Sequence, residues 1–163
     1  MAILNIHSRA LAAPSSQVGA LIDSLAGDAD RLWPTHDWPP MRFDRHLAVG
    51  AIGGHGPVRY VIEGYQPGHW IRFRFTGPRG FDGFHEFTVH DEGDTATLRH
   101  LLAMHARGPA RLTWPLVYRR LHDALLEDSL DRAEQELTGR PPEQPAQHDR
   151  YVRLLRGFAR RFT

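Results

Sequence analysis

An α+β fold is predicted for this chain of 163 residues: a curved antiparallel sheet wrapped around one long C-terminal helix, with an internal cavity between them. Three observations predict it. Between Arg42 and Arg107 short alternating runs are separated by glycine-rich turns, the pattern of an antiparallel meander. From about Arg111 to Thr138 a helical repeat runs to a closing glycine, Gly139. A curved sheet needs its concave face covered, and the apolar stripe of that helix is the one segment long enough to do so.

The elements follow in order. Ile3 to Leu11 reads as a first strand. Pro14-Ser15-Ser16 starts a helix, with a serine side chain to cap free amides and the proline suited to the first turn. Val18, Leu21, Ile22 and Leu25 make its apolar face, and Gly27 and Asp28 end it. The next stretch, with Trp33, Trp38 and three prolines, predicts an irregular crossing. Leu47 to Ile52 reads as a strand before the turn G-G-H-G-P, and Val58 to Tyr65 as one before Q-P-G. Trp70 to Thr76 alternates, with Ile71, Phe73 and Phe75 on one face and Arg72 and Arg74 on the other. A loop, T-G-P-R-G-F-D, leads to a strand from Gly83 to His90, the turn D-E-G-D, and a strand from Ala96 to Arg107. Gly108-Pro109 stops the sheet. On the long helix Leu126, Leu130, Ala133 and Leu137 form the stripe, with His122 one turn upstream and Pro115 in the first turns. Residues 1–139 are thus expected to form one domain. Residues 140–163 follow as a Pro-rich linker and a basic amphipathic helix.

Composition excludes several classes. Apolar residues are 41% and charged ones 24%, ordinary for a soluble domain. A net charge of +1 argues against nucleic-acid binding through a broad basic surface. All 20 basic residues are arginine, which reads first as codon bias. Without cysteine there is no disulfide, thiolate nucleophile or cysteine-ligated zinc. The first residues carry no apolar run of signal-peptide or membrane-span length, so a cytoplasmic location is expected. No G-x-S-x-G elbow, phosphate loop or dinucleotide fingerprint occurs.

The run G-H-G-P-V-R-Y-V-I-E-G-Y-Q-P-G-H-W-I-R-F-R-F, the strand H-E-F-T-V and the helix W-P-L-V-Y-R-R-L-H-D-A-L-L-E-D-S-L-D-R-A-E resemble the START-like superfamily. This superfamily is also called SRPBCC, or the Bet v 1-like helix-grip fold, and the chain looks like its polyketide cyclase/dehydrase and lipid-transport branch. The likeness covers about residues 1–139. It implies a cavity between sheet and helix that takes a lipid, a polyketide, a hormone or an aromatic compound. Because only some members are enzymes, it does not by itself imply catalysis.

The residues themselves point to a pocket. If Asp91 faces Asp94 across the turn, His85 faces His100, Phe87 faces Leu98 and Val89 faces Ala96. His85, Phe87 and Val89 then share a face with Leu98, His100, Leu102 and Met104. That face is otherwise apolar, so it is expected to be the concave one, with His122 approaching from the helix. Phe81 is expected at the entrance. Tyr60 joins the pocket if its strand face, shared with Ile62, is the concave one. Trp33 and Trp38 either cover the mouth or pack at the domain edge, and Trp114 and Tyr118 have the same two readings. Imidazoles in such a place either act as acid and base, making His85 and His100 the catalytic candidates, or are core histidines with ordinary partners. The three histidines lie on three elements without metal-ligand spacing, so no metal and no cofactor are expected. His55 and His69, in turns, are expected to be exposed. Arg72, Arg74, Glu127, Asp128 and Asp131 are expected on solvated faces, and Arg79 is expected to pair with Asp82 or to sit with it at the cavity rim.

In the tail, Tyr151, Leu155, Phe158 and Phe162 share a helical face, with Arg150, Arg153, Arg156, Arg160 and Arg161 beside it. Residues 148–162 therefore suit an anionic membrane, a protein partner, the chain's own domain or a homodimer. The leading expectation is binding or transport of a small hydrophobic molecule. An aromatase/cyclase-type enzyme and an interaction module with a filled cavity are the alternatives.

Overall fold

The computed structural model describes residues 1–159, apart from the side chains of Phe158 and Ala159. Phe162, Arg160 and Arg161 of the predicted basic helix, and the Phe158 side chain, lie outside the described residues. Seven strands form one antiparallel sheet: β1 (Ala2–Leu11), β2 (Arg42–Phe43), β3 (Ile52–His55), β4 (Val58–Gln66), β5 (Trp70–Gly77), β6 (Phe81–Asp91) and β7 (Ala96–Ala106). Their order is β1-β7-β6-β5-β4-β3-β2, so the first strand closes the meander beside the last. Helix α1 (Ser15–Asp23) joins β1 to the irregular crossing. The long C-terminal helix is α2 (Ala110–Thr113), a π-turn (Trp114–Tyr118) and α3 (Arg119–Thr138) in sequence, and α4 (Arg150–Ala159) packs back on α3. This is a helix-grip architecture.

Local chemistry accounts for the departures from expectation. Pro115 has no amide hydrogen to donate, and the α pattern widens there into the π-turn. Gly139 ends α3 in the left-handed conformation (φ 66°), which costs glycine least. No serine side chain caps α1; the Pro14 carbonyl accepts from the Gln17 and Val18 amides instead. That helix stops at Asp23, where the Ser24 hydroxyl turns back to the Leu21 carbonyl, four residues before the predicted end. The predicted strand Leu47 to Ile52 is a bend held by Asp44, which accepts from the Ile52 amide, and the strand proper starts at Ile52.

The β6–β7 register differs from the predicted one by two residues: Phe87 faces His100, and His85 faces Leu102. An even slip returns every side chain to its own face, so the concave set is unchanged. In β4, Tyr60 and Ile62 point into the core. A bulge between Ile62 and Gly64 then turns Tyr65 inward, where its hydroxyl donates to Asp23.

The concave face of β1 is polar, with Asn5, His7 and Arg9 turned toward α3, while Leu4 and Ile6 are exposed on the convex side. Glu127, Asp128 and Asp131 are therefore not a solvated face. Glu127 pairs with His7 and Arg9, Asp131 with Arg9, and Asp128 with the Trp38 indole, His148 and Arg156. Arg72 and Arg74 lie on the outer face, paired with Glu86 and Glu63. Asp82 pairs with Arg107 across the β6–β7 hairpin, not with Arg79.

Candidate functional site

Buried apolar side chains form two clusters. The larger joins α1, the central strands and the middle of α3. The smaller consists of Phe81, Leu102, Met104, Ala106, Ala110 and Trp114. A cavity of about 220 Å³ lies where the two clusters meet. Its wall combines Phe81, Leu102 and Trp114 of the smaller cluster with Trp38, Val58 and Leu125 of the larger, and His55, His85 and His122 stand between them. Phe75, Val117, Tyr118, Leu121 and Leu155 complete the aromatic and aliphatic lining.

Gly80 shapes the entrance. Its φ of 95° is a left-handed conformation, and a Cβ there would lie 2.2 Å from the Arg107 carbonyl oxygen. The close turn sets Phe81 against Trp114, Tyr118 and Phe75, ring centroids 5.8, 5.0 and 5.4 Å away.

Behind Phe81 the wall becomes polar at one point. His85 is stacked between Phe73 and Phe75 (4.9 and 5.0 Å) and meets Tyr60 edge-on. Its Nδ1 lies 3.1 Å from His100 Nε2, so one ring donates to the other. The rings of His100 and His122 are 5.0 Å apart. His85 Nε2, His100 Nδ1, both nitrogens of His122 and the Tyr60 hydroxyl are buried without a hydrogen-bond partner, where most buried polar atoms have one.

Burial, and then the charge of neighbouring histidines, pushes His85 and His100 well below the ordinary imidazole range, so both are neutral near pH 7. His55 is lowered to about 3, again chiefly by burial. Burial raises Tyr60 well above the usual phenol value, leaving its hydroxyl a neutral donor. The site is thus an apolar box with uncharged hydrogen-bonding groups at one end.

The cavity wall includes His85, Leu102, His122 and Phe81 among the predicted residues. His100, Phe87, Tyr60 and Met104 are buried immediately behind it and shape it through contact: Phe87 meets His100 edge-on, and Tyr60 meets His85. Trp33 is not at the mouth. Its indole donates to the Pro39 carbonyl and its ring lies on His55, while Trp38 takes the place at the wall. His55 is a correction: it is half-buried on the cavity wall, because Gly53 and Gly54 continue strand β3 and the turn begins only at Gly56. The spacing G-G-H-G-P gave no signal of that. His69 is exposed. Trp114 and Tyr118 both line the cavity from the π-turn.

No family model and no curated protein sequence matches the chain. Solved structures do match in fold. CalU16 from Micromonospora echinospora superposes with a TM-score of 0.62 at 18% identity, over 97% of this chain and 84% of that one. Truncated norcoclaurine synthase from Thalictrum flavum gives 0.64 at 12% identity, over 86% and 96%. A START superfamily protein from Mycobacterium smegmatis gives 0.58 at 12%, over 83% and 97%. The chain therefore shares the helix-grip fold of these structures, a START superfamily protein among them. Likeness at these identities concerns the fold, and the chemistry has to come from the cavity itself.

Proposed function

We propose that the protein binds a small, mainly apolar aromatic molecule of one or two rings that carries a hydroxyl or carbonyl group. The observation that supports this reading is a mainly apolar cavity whose wall carries the imidazoles of His55, His85 and His122, with nitrogens of His85 and His122 buried there without a hydrogen-bond partner. Size is consistent with it: an engineered cavity of about 150 Å³ in another protein holds benzene, and this one is about 220 Å³. A neutral imidazole both donates and accepts, so it suits either polar group.

Trp38 and Trp114 are on the wall, so tryptophan fluorescence reports occupancy. Titration with 1-naphthol and with naphthalene should show the naphthol binding at least tenfold more tightly. Equal affinities would remove the polar half of the proposal, and no response to either would remove the cavity reading. Native mass spectrometry of protein purified from its own organism then looks for the natural ligand.

The His85–His100 pair favours a second reading, proton transfer to a bound carbonyl compound in the manner of an aromatase/cyclase. A neutral imidazole would remove a proton from the carbon next to the carbonyl and return one to the same carbon. With 2-tetralone in deuterium oxide this predicts exchange at that carbon, faster than buffer and lost in His85→Gln. Exchange no faster than buffer leaves binding alone.

A further inference from the structure

Beside the cavity, and sharing His122 with its wall, a cluster of donors joins the edge strand to the gripping helix. His7 projects from the concave side of β1, and His122 and Asp123 stand next to each other in the first turns of α3. His7 Nε2 is 3.2 Å from Asp123 Oδ1, and His122 Nδ1 is 3.7 Å from the same oxygen. All three donor atoms lie within 4.8 Å of one another. Around a tetrahedral zinc ion with bonds of about 2.0–2.1 Å, neighbouring ligand atoms stand roughly 3.4 Å apart. Two edges of such a site are therefore already at length, and the third needs only a small rotation of an imidazole.

The surroundings match those of a metal site. The other nitrogen of His7 is 2.7 Å from Glu127 Oε1, the carboxylate–histidine arrangement that orients a ligating imidazole. Asn5 donates to Asp123 Oδ1 at 2.9 Å, and Arg119 lies 3.6 Å from the second carboxylate oxygen. Arg9, 3.3 Å from Glu127, balances that acid. A proton shared between His7 and the two acids would account for His7, but not for His122. Both ring nitrogens of His122 are buried without a hydrogen-bond partner, Nδ1 having only the longer 3.7 Å approach to Asp123, where most buried polar atoms are bonded.

We propose that His7, His122 and Asp123 bind a divalent transition metal ion, zinc being the best fit to two imidazoles and one carboxylate. The fourth position is left to water or a small anion. A metal on Nδ1 of His122 leaves the proton on Nε2, so that a residue of the cavity wall becomes an obligatory hydrogen-bond donor. The ion also ties β1 to α3 at the side where their contact is polar. This site stands whether or not the cavity carries a ligand.

The test uses the full chain stripped with a chelator. Cobalt(II) titration should give the visible absorption of a tetrahedral site, zinc should displace it, and calorimetry should count one zinc per chain. His122→Gln and Asp123→Asn should each weaken zinc binding at least 100-fold. Glu127→Gln, which touches the His7 ring and Arg9 but supplies none of the three ligand atoms, should weaken it about 10–100-fold. His69→Gln, at an exposed histidine, should change nothing. Zinc should raise the melting temperature of the wild type but not of Asp123→Asn, which decides the matter if His122→Gln does not fold. Absence of both cobalt absorption and zinc heat overturns the proposal. So does zinc affinity within threefold of wild type in Asp123→Asn.

Discussion

Filling the cavity is the sharpest test of the ligand-binding reading, and Val117→Trp does it from the π-turn. Val117 lines the cavity and is only half-buried, so a larger side chain there can enter the space without first displacing a fully packed neighbour. The cavity of about 220 Å³ takes one bicyclic ring system. An indole placed there occupies the room that 1-naphthol needs. Burying the indole is worth about 2–3 kcal/mol, and overpacking costs about 1–3 kcal/mol. The net change in stability is then within about 1 kcal/mol, and the melting temperature should move by no more than about 2–4 °C. Naphthol affinity, in contrast, should fall more than 100-fold, or about 2.7 kcal/mol. Calorimetric melting and a naphthol titration followed by calorimetry suffice, with Val117→Ala as the variant that keeps binding. If Val117→Trp folds with an unchanged melting temperature and still binds naphthol within threefold, the ligand sits elsewhere and the reasoning fails.

His85→Leu should destabilise the protein by about 1–3 kcal/mol, because it leaves His100 Nε2 buried without its partner, whereas His85→Leu with His100→Leu should recover most of that loss in urea melts. Acid should destabilise the fold: His55 and His85 are held below their unfolded value near 6.5, so the unfolded chain takes up more protons. Their contribution is complete above pH 6.5 and is lost as the pH falls from there toward about 3, the folded value of His55; melting temperatures should be level from pH 7.5 to about 6.5 and fall from there to 4.5, less steeply in His55→Gln. Arg9→Met removes the guanidinium that pairs with Glu127, Asp131 and Glu134, and should cost about 1–3 kcal/mol in urea melts. Leu155→Ser opens the wall that α4 supplies and should weaken naphthol binding by about tenfold or more, one tenfold step being about 1.4 kcal/mol.

Much of this was legible in the sequence, and the reason is periodicity. A strand such as W-I-R-F-R-F declares its two faces by alternation alone, and an error of two residues in pairing leaves those faces intact. That is why His85 and His100 meet although they are not opposite each other. What alternation does not carry is the partner of a polar residue. Asp123, Glu127 and Asp131 repeat like a wet helical face, and only the return of β1 to the sheet edge beside β7 shows that Asn5, His7 and Arg9 wait for them. His55 was illegible for a related reason: Gly53, Gly54 and Gly56 together look like one turn, and the first two join a strand only because β2 and β4 flank them. Trp33 and Trp38 are alike in sequence and differ only in which reaches the wall.

The position of the cavity follows from the way α3 changes character along its length. Its C-terminal half presents Leu126, Leu130 and Ala133, which are fully packed into the concave sheet and leave no space. Its N-terminal half presents His122, and before it the π-turn that Pro115 occasions, where the backbone is wider and the next large side chains are Trp114 and Tyr118. On the sheet opposite, β6 and β7 offer His85 and Leu102 at the same level. Imidazole is smaller than the phenylalanines around it and resists close apolar packing because its nitrogens need partners. The groove is therefore left unfilled where histidines face it and closed where leucines do. Replacing the inward histidines by leucine should consequently do more than remove hydrogen bonds: it should draw the two apolar clusters together and extinguish the cavity, so that the double variant gains stability over His85→Leu while losing naphthol binding altogether.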